Sequence, residues 1–151
     1  MILNSFKIFE NQGYAEYQDL SKSIKDWVSS VSFSPEGGKD PDYRFDKKTG
    51  RISANADFDI CQSDLDYVEN VGLILPHGIK FGVINGDFLI NGCALRYSDG
   101  FPEIVSGEFS LDNNNMKSLI GGPIKAGSYY CERNDLKDLS GSPVDVEEYF
   151  D

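Results

Sequence analysis

The sequence repeats one short pattern three times in its second half. Residues 88–95 read FLINGCAL, residues 109–116 read FSLDNNNM and residues 129–136 read YYCERNDL. The copies start 21 and then 20 residues apart, and each has the form apolar-x-apolar-x-x-Asn/Cys-x-apolar. A unit this short cannot bury its own apolar face and must stack on its neighbours. The pattern therefore predicts a repeat solenoid.

The spacing within each copy indicates which side chains face the interior. Phe88 and Ile90 alternate with Asp87, Leu89 and Asn91, so a short strand should bury the first pair and expose the other three. Asn114 and Asn134 stand where the chain leaves the strand, and a buried amide there can satisfy backbone groups. Cys93 is the small residue at the same position. This form is the leucine-rich-repeat signature, so the fold class expected is leucine-rich-repeat-like.

A weaker fourth copy, Phe58-x-Ile60-x-x-Ser63-x-Leu65, precedes these three, and residues 143–151 begin another, with Tyr149 in the place of Phe109 and Tyr129. We expect a short parallel β-sheet of about five turns, in a chain that is α+β overall. The helical spacing of apolar residues around Trp27 predicts a helix that covers the first turn. The expected organisation is a single domain, 1–151, with an N-terminal arm (1–13), a capping helix (14–31), a hairpin around Gly50 (43–60) and the solenoid (57–151).

The composition suits one soluble domain. The chain has 151 residues, 40% of them hydrophobic, and a formal net charge of -11. Its apolar runs are shorter than a membrane span needs, so no membrane association is expected. The three cysteines are odd in number and lack C-x-x-C spacing, which favours reduced thiols in a cytosol over disulfides.

Residue types that carry catalysis are sparse. His77 is the only histidine and has no ligand-like spacing around it. Asp57 and Asp59 alternate with inward residues, which places them on a solvated strand face. The run Gly121-Gly122-Pro123 lacks the Lys of a phosphate loop. We expect no enzyme, no catalytic or metal-binding residue and no cofactor.

Charge is the more informative feature. Acidic side chains at outward positions of successive turns should form a ladder on the sheet face, with Tyr130 as an aromatic anchor. Such a face repels nucleic acid and favours a protein partner with a basic surface, although acidity could also serve only solubility. The residues predicted to bind the partner are Asp57, Asp59, Asp87, Leu89, Glu108, Asp112, Tyr130 and Glu132.

Several stretches resemble the leucine-rich-repeat-like proteins of tailed (T4-like) bacteriophages: 79–82, 85–88 and 117–123, together with Trp27 and Gly50. The resemblance covers most of the chain and implies a phage source and a leucine-rich-repeat-like fold, with no shared catalytic residues. With reduced thiols, the expected location is the host cytoplasm. The repeats here are fewer and less regular than in that family. Separately, residues 5–10 resemble the leader of internal head proteins of these phages, which is cut after an aliphatic-x-Glu triplet. Ile8-Phe9-Glu10 fits, so Glu10 is a candidate processing site.

These observations leave three functions open. The leading hypothesis is a phage-encoded adaptor or inhibitor that docks its acidic face on a basic host or phage protein. The second is an internal head-packaged structural protein, trimmed after Glu10 and located inside the virion. The third is a DNA mimic that inhibits a host defence enzyme. Because the stretch 145–151 is acidic, pairing between two copies of this edge is disfavoured, and we expect a monomer.

Overall fold

In the described part of the chain, residues 17–35 and 40–151 of a computed structural model, sheet predominates and one helix is present. The parallel part of the sheet is curled and arranged like a β-solenoid of about three turns. The helix is α1 (Lys22–Val31). The strands are β1 (Ser32–Phe33), β2 (Asp42–Asp46), β3 (Arg51–Asn55), β4 (Asp57–Asp59), β5 (Asp66–Val68), β6 (Gly72–Ile74), β7 (Lys80–Ile84), β8 (Phe88–Leu89), β9 (Ile104–Ser110), β10 (Lys125–Tyr130) and β11 (Asp145–Phe150).

The parallel strands stack as rungs. Strands β3 and β4 together form the first rung, and β7 and β8 form the second. Strand β9 pairs with both strands of the second rung, β10 pairs with β9, and β11 pairs with β10. From the second rung onward, equivalent residues are 20 or 21 positions apart, which gives three regular coils. The five turns expected from the sequence are therefore too many for the regular part of the stack.

An aromatic column runs through the interior of the stack. Each rung contributes one ring, and successive ring centroids lie 5.6, 6.1, 5.1 and 5.2 Å apart. Apart from the last, these rings are fully buried. Burial of so much aromatic surface is the main favourable contribution to a stack whose single coils cannot fold alone. The column consists of Phe58, Phe88, Phe109, Tyr129 and Phe150.

The placement of Tyr149 in this column was wrong. The register of β11 against β10 shifts by one residue after Val146, so Phe150 pairs with Tyr129 while Tyr149 pairs with Ser128. The shift carries Tyr149 to the opposite face of the sheet, because side chains alternate along a strand. A bulge of this kind adds a residue without changing the apolar pattern, and the pattern alone did not indicate it.

The predicted role of the buried amides is confirmed. The Asn114 side chain accepts from the Cys93 and Leu95 N–H groups at 3.0 and 3.1 Å, and donates to the Ile90 and Leu111 carbonyls at 2.8 Å each. Asn134 repeats this one coil later, accepting from Met116 N–H at 3.0 Å.

Cys93 occupies the equivalent site one coil earlier, and its thiol donates to the Ile60 carbonyl at 3.4 Å. Ser63 does not continue the series. It lies exposed in a 3-10 turn (Gln62–Asp64), where Asp64 instead accepts from the Cys61 N–H at 2.8 Å. The fourth copy therefore shares the buried apolar positions of the others but not their amide.

The first rung is covered by antiparallel strands and by α1. Strand β2 pairs with β3, and β1 pairs with β4. On α1, Val28 and Val31 are buried, and the half-buried Trp27 ring lies 6.4 Å from Phe81. The Trp27 indole N–H donates to the Asp64 carbonyl at 2.7 Å. Trp27 thus anchors the cap to the first coil, as its position in the sequence predicts.

Two predicted boundaries differ from the observed ones. The helix expected over 14–31 is interrupted: residues 17 and 18 are helical, a turn follows, and α1 begins at Lys22. Ser21 caps α1 by accepting from the Ile24 N–H at 3.4 Å. Residues 14–16 and the arm 1–13 lie outside the described residues. The solenoid expected from residue 57 begins at Arg51, since β3 already pairs in parallel with β7. One strand therefore serves both the hairpin and the stack.

The 30-residue interval between the first two rungs contains an inserted hairpin. Strands β5 and β6 pair antiparallel and form a separate two-stranded sheet, with Asp66 opposite Ile74. The apolar residues around Pro76 and His77 predict a long irregular turn in this interval, and the structure has a hairpin instead. The hairpin leaves the stack and returns at Leu75 and Ile79, which are buried.

We expect Asn114→Ala to lower the free energy of unfolding by about 3 kcal/mol, because it leaves several buried backbone groups without partners. The matched change Asn134→Ala should cost about 1 kcal/mol, since Asn134 is less buried and water can replace its bonds. Urea unfolding followed by circular dichroism measures both. Equal costs would contradict the role assigned to burial.

Candidate interaction surface

The outward face of the stack brings the predicted partner-binding residues together in rows. Strand register places Asp57, Asp87 and Glu108 side by side in one row. A second row runs over four successive rungs. Its members, in order, are Asp59, Leu89, Ser110 and Tyr130. Asp112 and Glu132 lie two residues after the ends of β9 and β10. The candidate processing site, Glu10, lies outside the described residues. We call the eight predicted residues from Asp57 to Glu132 the acidic face.

Carboxylates in the first row bond to the backbone of the next rung. The Asp57 Oδ1 accepts from the Asp87 N–H at 2.8 Å, and the Asp87 Oδ1 accepts from the Glu108 N–H at 2.8 Å. Gly107 makes this approach feasible, since a Cβ there would come within 2.2 Å of the Asp87 Oδ1. These aspartates are therefore structural as well as charged.

A second ladder lies beyond the strand ends. The Asn91 Oδ1 accepts from the Asp112 N–H at 2.9 Å and from the Ser110 hydroxyl at 2.7 Å. The Asp112 Oδ1 accepts from the Glu132 N–H at 2.6 Å. Each side chain satisfies a donor that the sheet ladder leaves unpaired at its margin. Asn91 was expected to face outward, but its bonding role was not anticipated.

Five carboxylates of the acidic face take part in no salt bridge among the described residues. In the described part of the chain, Asp59, Asp87, Glu108, Asp112 and Glu132 have no Lys or Arg nitrogen within the 4.0 Å of a salt bridge. Partial burial, followed by repulsion from Asp87 and Asp112, raises the pKa of Glu108 above its usual 4.5. A side-chain hydrogen bond with Asp151 and the charge of that residue raise the pKa of Glu132. The face carries charge at a cost in stability.

An aromatic pair borders the acidic face. Tyr130 and Tyr149 have ring centroids 5.4 Å apart, and Tyr149 is 51% exposed. The sequence indicated Tyr130 as an outward aromatic residue and missed Tyr149, whose position depends on the bulge in β11. Together the rings form an apolar edge beside the carboxylates, the combination that favours recognition by a protein surface.

The sequence contains a signal for the carboxylate ladder formed by Asp57, Asp87 and Glu108. Gly86-Asp87 and Gly107-Glu108 each place a glycine before an acidic residue at the same point of the rung. An aspartate one rung earlier folds over that glycine and reaches the following N–H. Because Gly127 is followed by Ser128, the charged row ends at Glu108.

A polar cleft of about 530 Å³ adjoins the first row, and Asn85, Ser106 and Asp87 help to line it. Its side chains bond to one another and to the backbone. The Ser106 hydroxyl donates to the Asn85 Oδ1 at 2.7 Å and accepts from the Gly86 N–H at 2.9 Å. The Asn85 amide donates to the Asn55 Oδ1 at 3.0 Å. The network aligns the first three rungs beside the acidic face.

Within 17–35 and 40–151, no group of three or more His, Cys, Asp or Glu side chains is arranged to hold a metal ion. His77 is exposed in a left-handed turn, with a φ of 57°. The free thiols of Cys93 and Cys131 are buried, and burial raises the pKa of each to about 11. Across the described ranges, no helix has the length and apolar character needed to cross a membrane.

Comparisons of this chain with protein-family models, with curated proteins and with solved structures found no match. The geometry and charge of the surface are therefore the basis of the function proposed below.

We expect Asp87→Ala to lower the free energy of unfolding by about 1–2 kcal/mol, because the partly buried Glu108 N–H loses its acceptor. Asp87→Asn keeps an oxygen in place and removes the charge, so it should be neutral or stabilising. Chemical denaturation of the two variants beside the parent checks this. Equal losses for Ala and Asn would contradict the hydrogen-bond role.

The pH dependence of stability follows from the raised pKa values of Glu108 and Glu132. A carboxyl group with a raised pKa favours folding when protonated, and this stabilisation is lost as pH rises through the folded pKa. At low ionic strength the melting temperature should therefore be higher near about pH 5 than near about pH 7. The pKa of Asp138 is lowered from its usual 3.8, so this residue stabilises the fold when ionised. That stabilisation is lost only as pH falls below about 3.8, outside the range compared here.

Glu108→Gln is the matched control for this pH effect, because the amide does not titrate in the same range. The variant should show a smaller difference in melting temperature between the two pH values. An unchanged difference would show that the pH dependence arises elsewhere in the chain.

Proposed function

We propose that this chain is a protein–protein interaction module of the leucine-rich-repeat-like kind found in tailed bacteriophages. It acts as an adaptor or inhibitor in the host cytoplasm, without catalysis, by docking its acidic face on a basic surface of a host or phage protein. The observation that carries the proposal is the acidic face itself, where five carboxylates on adjacent rungs have no cationic partner within the described residues.

Electrostatics explains why a basic partner suits this face. Parallel strands lie about 4.8 Å apart, so carboxylates of neighbouring rungs repel one another across a short distance. Partial burial, followed by repulsion from Asp87 and Asp112, raises the pKa of Glu108. Lys or Arg side chains of a partner would offset the repulsion, speed association and disfavour partners of the wrong charge.

The hydrogen-bond ladders support the same proposal because they fix the positions of the charges. Asp87 and Asp112 each use Oδ1 to accept a backbone N–H, and among the described residues no donor bonds to the second oxygen. A carboxylate held in this way loses little side-chain entropy on binding. Tyr130, packed on Tyr149, adds a rigid aromatic contact at the margin.

Three features favour the leucine-rich-repeat relationship. The coils are 20 or 21 residues long, and Asn114 and Asn134 bond the backbone as the repeat asparagine is expected to do. Parallel strands on one side of each coil also match that architecture. A sheet surface of stacked rungs is what repeat proteins commonly use for binding.

The test compares tagged forms of the chain as bait in extracts of infected host cells. The charge-removed bait carries Asp87→Asn, Glu108→Gln and Asp112→Asn, which keep an oxygen at each position. The control bait carries Asp66→Asn, Glu69→Gln and Asp99→Asn, exposed residues away from the acidic face. Both lose three negative charges.

Parent and control should retain the same basic protein, and the charge-removed bait should lose at least about ten-fold in affinity at low salt. As salt rises, the affinity of the parent bait for the partner should fall toward that of the charge-removed bait. Equal retention by all three baits would contradict the proposal. The head-packaged alternative would instead be supported if the chain were recovered only from purified virions and mass spectrometry showed that it begins at Asn11.

A further inference from the structure

The two ends of the stack are finished differently. The first rung is covered by the antiparallel strands β1 and β2 and by the helix α1. Strand β11 pairs with β10 on one side, and within 17–35 and 40–151 no strand pairs with its other side. Such an edge presents unpaired N–H and C=O groups that can accept a further strand.

The backbone direction of β11 is set by its bonds to β10. The Asp151 N–H donates to the Tyr129 carbonyl at 2.8 Å, and the Asp151 carbonyl accepts from the Cys131 N–H at 2.7 Å. Peptide groups of successive residues point to opposite sides of a strand. The N–H and C=O of Phe150 therefore point away from β10, toward the open edge.

The aromatic column is also open at this edge. The Phe150 ring stacks on Tyr129 with a centroid distance of 5.2 Å and an interplanar angle of 6°, yet it remains 39% exposed. Val144 is 83% exposed on the same rung. Each earlier ring of the column is covered by the ring of the next rung. A further rung would cover Phe150 if it supplied an apolar side chain at the same position.

The charge of the last rung determines which kind of strand can pair with it. The rung carries Asp145, Glu147, Glu148 and Asp151, and the one salt bridge on it in the described chain joins Asp145 to Lys125 at 3.8 Å. A second copy would bring identical carboxylates opposite these and would add another chain with a net charge of -11. A basic segment meets no such repulsion.

We propose that the open edge of β11 binds an extended, basic segment of another protein as an additional parallel rung. An apolar residue of that segment stacks on Phe150, and Lys or Arg side chains face Glu147 and Glu148. Main-chain hydrogen bonds supply affinity, and side chains at alternate positions supply specificity. This edge adjoins the acidic face, since Tyr149 packs on Tyr130 and Asp151 interacts with Glu132. The inference nevertheless stands on the strand edge and on Phe150, so it does not depend on the function proposed above.

The probe is a labelled peptide, KVKKYFK, which copies residues 145–151 with lysine in place of each acidic residue. It is titrated into the full chain at low salt, with fluorescence anisotropy as the measure of binding and hydrogen exchange as the measure of location. A matched peptide, KVKKPFP, keeps the Phe and most of the positive charge but lacks the two backbone N–H groups that would face β11. The acidic parent sequence, DVEEYFD, controls for charge.

We expect KVKKYFK to bind and to slow amide exchange within residues 145–151. The proline peptide and the acidic peptide should each bind at least about ten-fold more weakly. In the protein, the double variant Glu147→Lys, Glu148→Lys should weaken binding of the basic peptide by a similar factor. The double variant Glu69→Lys, Asp99→Lys makes an equal charge change elsewhere and should have a smaller effect on this binding.

Two results would overturn the proposal. Binding of the proline peptide as tight as that of KVKKYFK would show that charge alone attracts the probe. Sedimentation of the intact chain as a dimer, with residues 145–151 protected without peptide, would make a second copy the occupant. The acidic-face variants Asp87→Asn, Glu108→Gln and Asp112→Asn should still bind the peptide within about three-fold, which separates this test from that of the proposed function.

Discussion

This structure depends on one constraint. The backbone N–H and C=O groups at the margins of very short rungs must find hydrogen-bond partners. A coil of 20 or 21 residues bends out of its strand after a few pairs, and the groups at the bend have no sheet partner. Inside, Asn114 and Asn134 serve these groups. Outside, Asp87 and Asp112 serve the amides of the next rung. Without such side chains, the aromatic column could not be packed by coils this small.

This constraint couples stability to surface charge. An aspartate is a good acceptor for an amide, but repeating it on neighbouring rungs places like charges close together. Glu108 shows the result, since its pKa is raised by partial burial and by Asp87 and Asp112. The hydrogen bond and the repulsion come from the same side chains. A basic partner would relieve the repulsion and leave the bonds intact, which gives the acidic face a physical reason to bind.

The stack also has a direction. Antiparallel strands cover its first rung, and Trp27 anchors α1 to the coil that follows. At β11 the stack presents a strand edge, a ring with one open face and a group of carboxylates. An edge with many negative charges resists pairing with its own copy while it stays available to a basic strand. The two proposed surfaces therefore differ in geometry but favour partners of the same charge.

The sequence by itself determined the repeat, its period, the inward apolar positions and the buried amides, because these depend on the alternation within one strand and on spacing along the chain. Asp57, Asp87 and Glu108 were placed on one face for the same reason. Tertiary structure alone decided the register of β11, which moved Phe150 into the column and Tyr149 beside Tyr130. It also decided the start of the stack at Arg51, the hairpin of β5 and β6, and the aspartate ladder. These features depend on the position of one rung relative to the next, and a bulge or an insertion changes that position without altering the local pattern of side chains.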